Sequence, residues 1–122
     1  MPHAMVVDDS KAVRLLLSNV LGEIGYEVVQ AGDGEDALQQ LGNDPISLFL
    51  VDWNMPRMDG LEFVKRLRAD QRYSSAAVMM ITTETEIQQI VRALEAGANE
   101  YIMKPFTKEI IADKLRLLGV LQ

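Results

Sequence analysis

The chain has 122 residues, 48% of them hydrophobic, no cysteine and a formal net charge of -6. A single domain is expected at this length, and burial of roughly two-thirds of the unfolded surface gives it a core without covalent staples. The missing thiols exclude disulfides and thiolate metal sites, 18 acidic against 12 basic residues argue against nucleic-acid binding, and no apolar stretch approaches the roughly 20 residues of a membrane span.

Met1-Pro2-His3 lacks the basic segment and long apolar region of a signal peptide, so a cytoplasmic location is expected. Ala4-Met5-Val6-Val7 reads as a buried strand ending on Asp8 and Asp9. From Ser10 to Gly22, Val13, Leu16, Leu17, Val20 and Leu21 form one helical stripe, punctuated by Gly22 and Gly25. Glu27 to Ala31 reads as the second strand. Asp33-Gly34 is a turn signal, and Glu35 to Leu41 continues as a short helix with acidic residues in its first turn, where the helix dipole favours them. Asn43-Asp44-Pro45 breaks that helix, and the third strand, Ile46 to Val51, ends on Asp52. A loop from Trp53 to Gly60 leads into a helix with Leu61, Val64 and Leu67 inward. Ala77 to Ile81 is the fourth strand and ends on Thr82. The fourth helix carries Ile87, Ile90, Val91 and Leu94 at helical spacing and stops at Gly97. Tyr101-Ile102-Met103 is a short fifth strand before Lys104-Pro105, and the last helix holds Ile110, Ile111, Leu115 and Leu118.

Five alternating strand–helix units predict a doubly wound α/β sandwich with a parallel sheet and right-handed crossovers. The chain ends within four residues of Leu118, so the expectation is one stand-alone domain over 1–122 whose output passes through surface contacts. Ligands of such sheets bind outside the carboxyl ends of the strands. Asp8, Asp9, Asp52, Thr82 and Lys104 should therefore converge there, a set suited to a hard divalent cation plus a phosphoryl group. Clustered carboxylates need such a cation, because two unit charges about 4 Å apart repel by about 4 kcal/mol at an effective dielectric of 20.

Each of these residues also has a plainer reading. Asp8 or Asp9 could simply cap the first helix, Asp52 could be a turn residue, and Lys104 could be solvated. A strand-end Thr follows from β propensity, and Tyr101 alone reads as a core aromatic. The basic cluster Lys65, Arg66, Arg68 and Arg72 reads as a solvated helix face rather than a docking patch. The seven methionines, including Met79, Met80 and Met103, read as adaptable core filler.

The segments Val6-Val7-Asp8-Asp9-Ser10, Leu50-Val51-Asp52-Trp53-Asn54-Met55-Pro56, Met58-Asp59-Gly60, Ile81-Thr82 and Tyr101-Ile102-Met103-Lys104-Pro105-Phe106 occur in this order. Together they resemble a response-regulator receiver domain over essentially the whole chain. The run from Asp52 to Pro56, with Glu84 two residues after Thr82 and Tyr101 three before Lys104, is similar to the CheY-type chemotaxis subgroup. The resemblance implies a flavodoxin-like fold with strand order 2-1-3-4-5. It also implies a two-component switch that catalyses only its own phosphorylation and slow dephosphorylation.

By the same resemblance Asp52 accepts a phosphoryl group from a histidine kinase. Asp9 and Asp52 ligate Mg²⁺ directly, Asp8 mostly through water, and the Asn54 main-chain carbonyl completes the protein shell. Lys104 pairs with Asp52 before transfer and with phosphoryl oxygens afterwards, its bond to Pro105 being cis in the family. Thr82 donates to a phosphoryl oxygen, and Tyr101 turns from exposed to buried. Asn54, Thr83 and Glu84 tune the kinetics. Output is implied through the face of the fourth helix, fifth strand and fifth helix, with Gln88, Gln89, Arg92, Tyr101, Lys108 and Asp113 exposed. The implied target in chemotaxis is a motor switch protein, bound by a monomer with no nucleic-acid or membrane partner.

Two departures from the family pattern stand out. Thr83 replaces a small Ala or Gly beside the site, and the loop from Leu41 to Pro45 is short with its proline shifted. A phosphorelay intermediate or phosphate sink would use the same residues. An aspartyl-nucleophile phosphatase would want a general acid two residues after Asp52, where Asn54 stands. A flavin-binding module would need a Ser/Thr/Gly-rich phosphate loop where Asp8-Asp9 would repel one.

Overall fold

The computed structural model describes residues 2–42, 45–83 and 87–119. Its strands are β1 (His3–Val7), β2 (Glu27–Ala31), β3 (Ile46–Asp52), β4 (Ala77–Thr82) and β5 (Glu100–Met103). Its helices are α1 (Lys11–Ile24), α2 (Gly34–Gln40), α3 (Gly60–Ala69), α4 (Ile87–Ala96) and α5 (Lys108–Leu117). The five strands are parallel and lie in the order β2-β1-β3-β4-β5, the doubly wound arrangement expected.

Why the strands read as unbroken apolar runs is visible on β3. Phe49 and Val51 enter one core with Phe63, Val64, Leu67, Tyr73 and Met80. Leu48 and Leu50 enter a second core with Leu17, Leu21, Met79, Ile111 and Leu115. From Leu48 to Val51 both faces are covered and every residue is apolar, so the alternation of a half-buried strand disappears; Ser47, before that stretch, is exposed.

The helix ends follow from local chemistry. Helix α1 runs past Gly22 to Ile24 and stops at Gly25, whose φ of 117° is left-handed and whose N–H bonds to the carbonyls of Gly22 and Leu21. Gly22 does not end the helix because it keeps right-handed geometry. Asp33, Asp59 and Thr107 cap α2, α3 and α5 through their side-chain oxygens. A 3-10 turn, Gln71–Tyr73, lies where the sequence suggested no element; the Asp70 carboxylate nucleates it by accepting from the Arg72 N–H.

Three expectations need correction. Met103 is not core filler: it is 47% exposed, because β5 is the edge strand and its outer end is left uncovered, whereas Met79 and Met80 are fully buried. The basic cluster is not simply a solvated face. Arg68 is half-buried and donates to the carbonyls of Gly97 and Tyr73 and to Asn99 Oδ1, tying α3 to the turn before β5. Finally, α4 does not bury its whole apolar stripe: Ala93 enters the core, while Val91 and Leu94 are exposed.

Candidate functional site

Strand register builds the site. Val7 of β1 pairs with Val51 of β3, so Asp8 and Asp52 are adjacent at the carboxyl edge of the sheet. Asp52 pairs with Ile81, which sets Thr82 one residue further up the neighbouring strand. Thr82 pairs with Met103, and its carbonyl accepts from the Lys104 N–H at 2.8 Å, which fixes where the lysine leaves β5. The Lys104–Pro105 peptide is cis, as the resemblance implies.

The expected convergence is present. Carboxylate oxygens of Asp8, Asp9 and Asp52 lie within 4.8 Å of one another. Lys104 Nζ donates to Asp52 Oδ1 at 3.1 Å and to Asp8 Oδ2 at 3.3 Å. Asp8, Asp52 and Thr82 are buried, whereas Asp9 is exposed and opens the cluster to solvent. Burial, and then the charge of Asp8, push the Asp52 carboxyl above its ordinary range despite the Lys104 hydrogen bond. For Lys104, burial pulls the ammonium down, but the hydrogen bond and charge of Asp52 together with Asp8 outweigh it and hold the group above its usual value.

The plainer reading of the acidic pair gives way here. Ser10, not an aspartate, caps α1 by accepting from the Val13 N–H at 3.3 Å. Asp8 instead accepts from the Ser10 N–H at 2.8 Å through Oδ1, which aims Oδ2 at Lys104. The Met58-Asp59-Gly60 segment also gains a physical reason. Gly60 N–H bonds to the Trp53 carbonyl at 2.8 Å, and a Cβ at Gly60 would collide with the Asp52 carbonyl oxygen. Only glycine lets α3 start this close to the end of β3.

Three carboxylates with one exposed member form a hard-oxygen set that leaves room for waters, which fits Mg²⁺. Asn54 and Thr83 are exposed beside the cluster. Thr83 lines an apolar groove of about 370 Å³ with Val13, Leu16, Lys104, Pro105 and Phe106. Glu84 lies outside the described residues, as do Asn43 and Asp44 of the shortened loop.

Of the expected output face, Gln88, Arg92, Lys108 and Asp113 are exposed, but Gln89 and Tyr101 are half-buried, and Tyr101 packs against the first core. The face holds exposed apolar residues that the sequence reading did not assign to it, Val91, Met103 and Ile110. A cleft of about 330 Å³ between Tyr101, Met103, Ile110 and Lys114 joins β5 to α5. Two further residues passed over in the sequence, Asp33 and Arg57, pair at the rim of the acidic cluster.

A doubly wound sheet with three carboxylates, a lysine and a threonine at its carboxyl edge defines an α/β domain suited to a cation and an anionic group. Residues 4–116 match the family model of the response regulator receiver domain. Chemotaxis protein CheY1 of Helicobacter pylori strain J99 is 42% identical over 116 residues, covering 93% of this chain and 94% of that protein. The structure of the chemotaxis response regulator CheY4 of Vibrio cholerae superposes with a TM-score of 0.90 at 35% identity, covering 97% of this chain and 98% of that one. A Burkholderia pseudomallei response regulator, solved with a phosphorylated aspartic acid and a calcium ion, gives a TM-score of 0.83 at 27% identity over 100% of this chain and 67% of that one. The chain belongs to the response regulator receiver domain family. Among the described residues no helix is long and apolar enough to cross a membrane.

Proposed function

We propose that residues 1–122 act as a stand-alone, monomeric phosphorylation switch in the cytoplasm, in chemotaxis signalling. The observation that carries this reading is Asp52, a buried carboxylate between the Lys104 ammonium and an acidic pair that opens to solvent through Asp9. A carboxylate is a modest nucleophile, but phosphoryl transfer asks mainly for position and charge neutralisation.

Lys104 occupies Asp52 Oδ1, so the other oxygen, Oδ2, attacks the phosphorus of a phosphohistidine on the kinase. The O–P bond forms as the P–N bond breaks, and its electron pair stays on the imidazole. Lys104 then follows the phosphoryl oxygens, joined by the Thr82 hydroxyl. Asp9 and Asp52 directly, the Asn54 main-chain carbonyl, and Asp8 through water are the groups that would hold Mg²⁺. When bound, that ion neutralises charge on the carboxylates and the phosphoryl group. Asn54, Thr83 and Glu84 tune the kinetics, Thr83 through the bulk it adds on the path of donor and water. Asn54 also supplies no acid for turnover of other phosphate esters, which favours a switch over a phosphatase.

The output is read by a downstream protein on α4, β5 and α5, where Val91, Met103 and Ile110 add apolar area beside Arg92 and Lys108. Thr82 drawn toward the phosphoryl group, and Tyr101 moving inward behind it, form the two-state element.

Phosphotransfer profiling against purified histidine kinases tests the proposal. Transfer from a chemotaxis kinase within seconds, and far slower transfer from other kinases, is the expected pattern. Transfer only through an intermediate phosphotransfer protein would replace the switch with a relay or sink role.

A further inference from the structure

The loop between β3 and α3 carries an unusual backbone. Arg57 has φ of 66°, and it is the one non-glycine residue with positive φ among the described residues. An L-residue in that region is strained and persists only where its surroundings hold it. Here the holding group is Asp33, at the start of α2. Its side chain is buried, and its Oδ2 accepts from Arg57 Nε at 3.0 Å and from the neighbouring Nη2. Its other oxygen, Oδ1, accepts from the Asp36 N–H at 2.8 Å, so Asp33 is itself fixed to the helix start. The Asp36 hydrogen bond, and then Arg57, hold the Asp33 carboxyl below its usual range.

A second staple lies beside the first. Met58 is buried against Gly34, where a Cβ would overlap Sδ and Cγ of the methionine. Arg57 and Asp9 line the same cleft, of about 500 Å³, at the rim of the acidic cluster. Asn54 lies three residues before Arg57 on the loop that these staples fasten.

We propose that the Arg57–Asp33 pair is a latch that positions the β3–α3 loop for cation binding, making both positioning residues rather than ligands. The inference rests on the proposed metal role of Asp9, Asp52 and Asn54. Its sign is distinctive. If Arg57 acted only through its charge, removing a cation from a cleft shared with Asp9 would tighten Mg²⁺ binding. A latch demands the opposite, because the loop must then be ordered at the expense of binding.

Mg²⁺ titrations followed by the amide NMR shifts of Asp9 and Asn54 test this on wild type, Arg57→Ala, Asp33→Asn and the double variant. Asn at 33 retains the capping oxygen, so α2 keeps its start. The expected result is a dissociation constant raised roughly 10-fold in each single variant, the low end for groups that support metal ligands. The double variant should be no weaker than the singles, since either change opens the same latch. In metal-free protein the Met58 and Gly60 amides should exchange faster in Arg57→Ala than in wild type. Unchanged or tighter Mg²⁺ binding by Arg57→Ala would overturn the latch, even if melting temperature fell. A wild type that shows no Mg²⁺ response would instead remove the metal reading on which the latch rests.

Discussion

With Asp52 as the proposed acceptor, Asp52→Asn should lower acid-labile phosphorylation by at least about 10³-fold, whether the donor is acetyl phosphate or a kinase, as expected when a covalent nucleophile is removed. The neighbours cannot substitute. Asp8 has one oxygen on the Ser10 N–H and the other on Lys104. Asp9 is exposed and lacks the Lys104 partner that Asp52 has. The amide keeps the size of the side chain, and Thr82 and Lys104 remain in place, so the fold should persist. Intact-mass and peptide mass spectrometry check the outcome, and a phosphoryl group retained by the variant would show that Asp52 is not the acceptor.

The second large effect is an inversion of stability with Mg²⁺. In EDTA at low ionic strength, Asp52→Asn should melt about 5 °C above wild type, corresponding to roughly 1 kcal/mol of relieved repulsion in a domain of this size. Burial and the charge of Asp8 raise the Asp52 carboxyl in the folded state. A folded-state value above the unfolded one means that wild-type stability is full below the unfolded carboxylate range and falls as pH rises through the folded value. The advantage of the variant is therefore largest at neutral pH and fades on acidification. Asp9→Ala should gain less, because Asp9 is exposed and solvent screens its charge. With Mg²⁺ at 100 times its dissociation constant, wild type gains about 2.7 kcal/mol and overtakes Asp9→Ala. Thermal melts in EDTA in which both variants fall below wild type would mean that the carboxylates do not oppose one another.

Most of the site was legible because it sits at strand ends. An apolar run that stops at Asp8 or Asp52 marks both the strand and its carboxyl edge, and parallel topology then brings those edges together. Surface detail was less legible. Periodicity placed Val91 and Leu94 on one stripe of α4, yet only packing decided that small Ala93 would face the sheet and leave them outside. Met103 follows the same logic, since strand pattern alone does not say that β5 is an uncovered edge. Arg57 was invisible as a site residue because its role depends on a left-handed backbone and on Asp33, 24 residues earlier in the chain. The packed role of Arg68 is hidden for the same reason, since its partners Gly97 and Asn99 are 29 and 31 residues away.

In the proposed switch, chemistry at Asp52 changes a distant binding surface. Coupling of this kind is typically worth about 1–3 kcal/mol, or roughly 5- to 150-fold in target affinity. Beryllofluoride with Mg²⁺ mimics the phosphoryl group, and amide NMR shifts read its reach residue by residue. A switch should show changes that run from Asp52 through Thr82 to Tyr101 and along α4. Changes confined to the residues around Asp8, Asp9 and Asp52 would contradict it and leave a phosphoryl carrier without a conformational output.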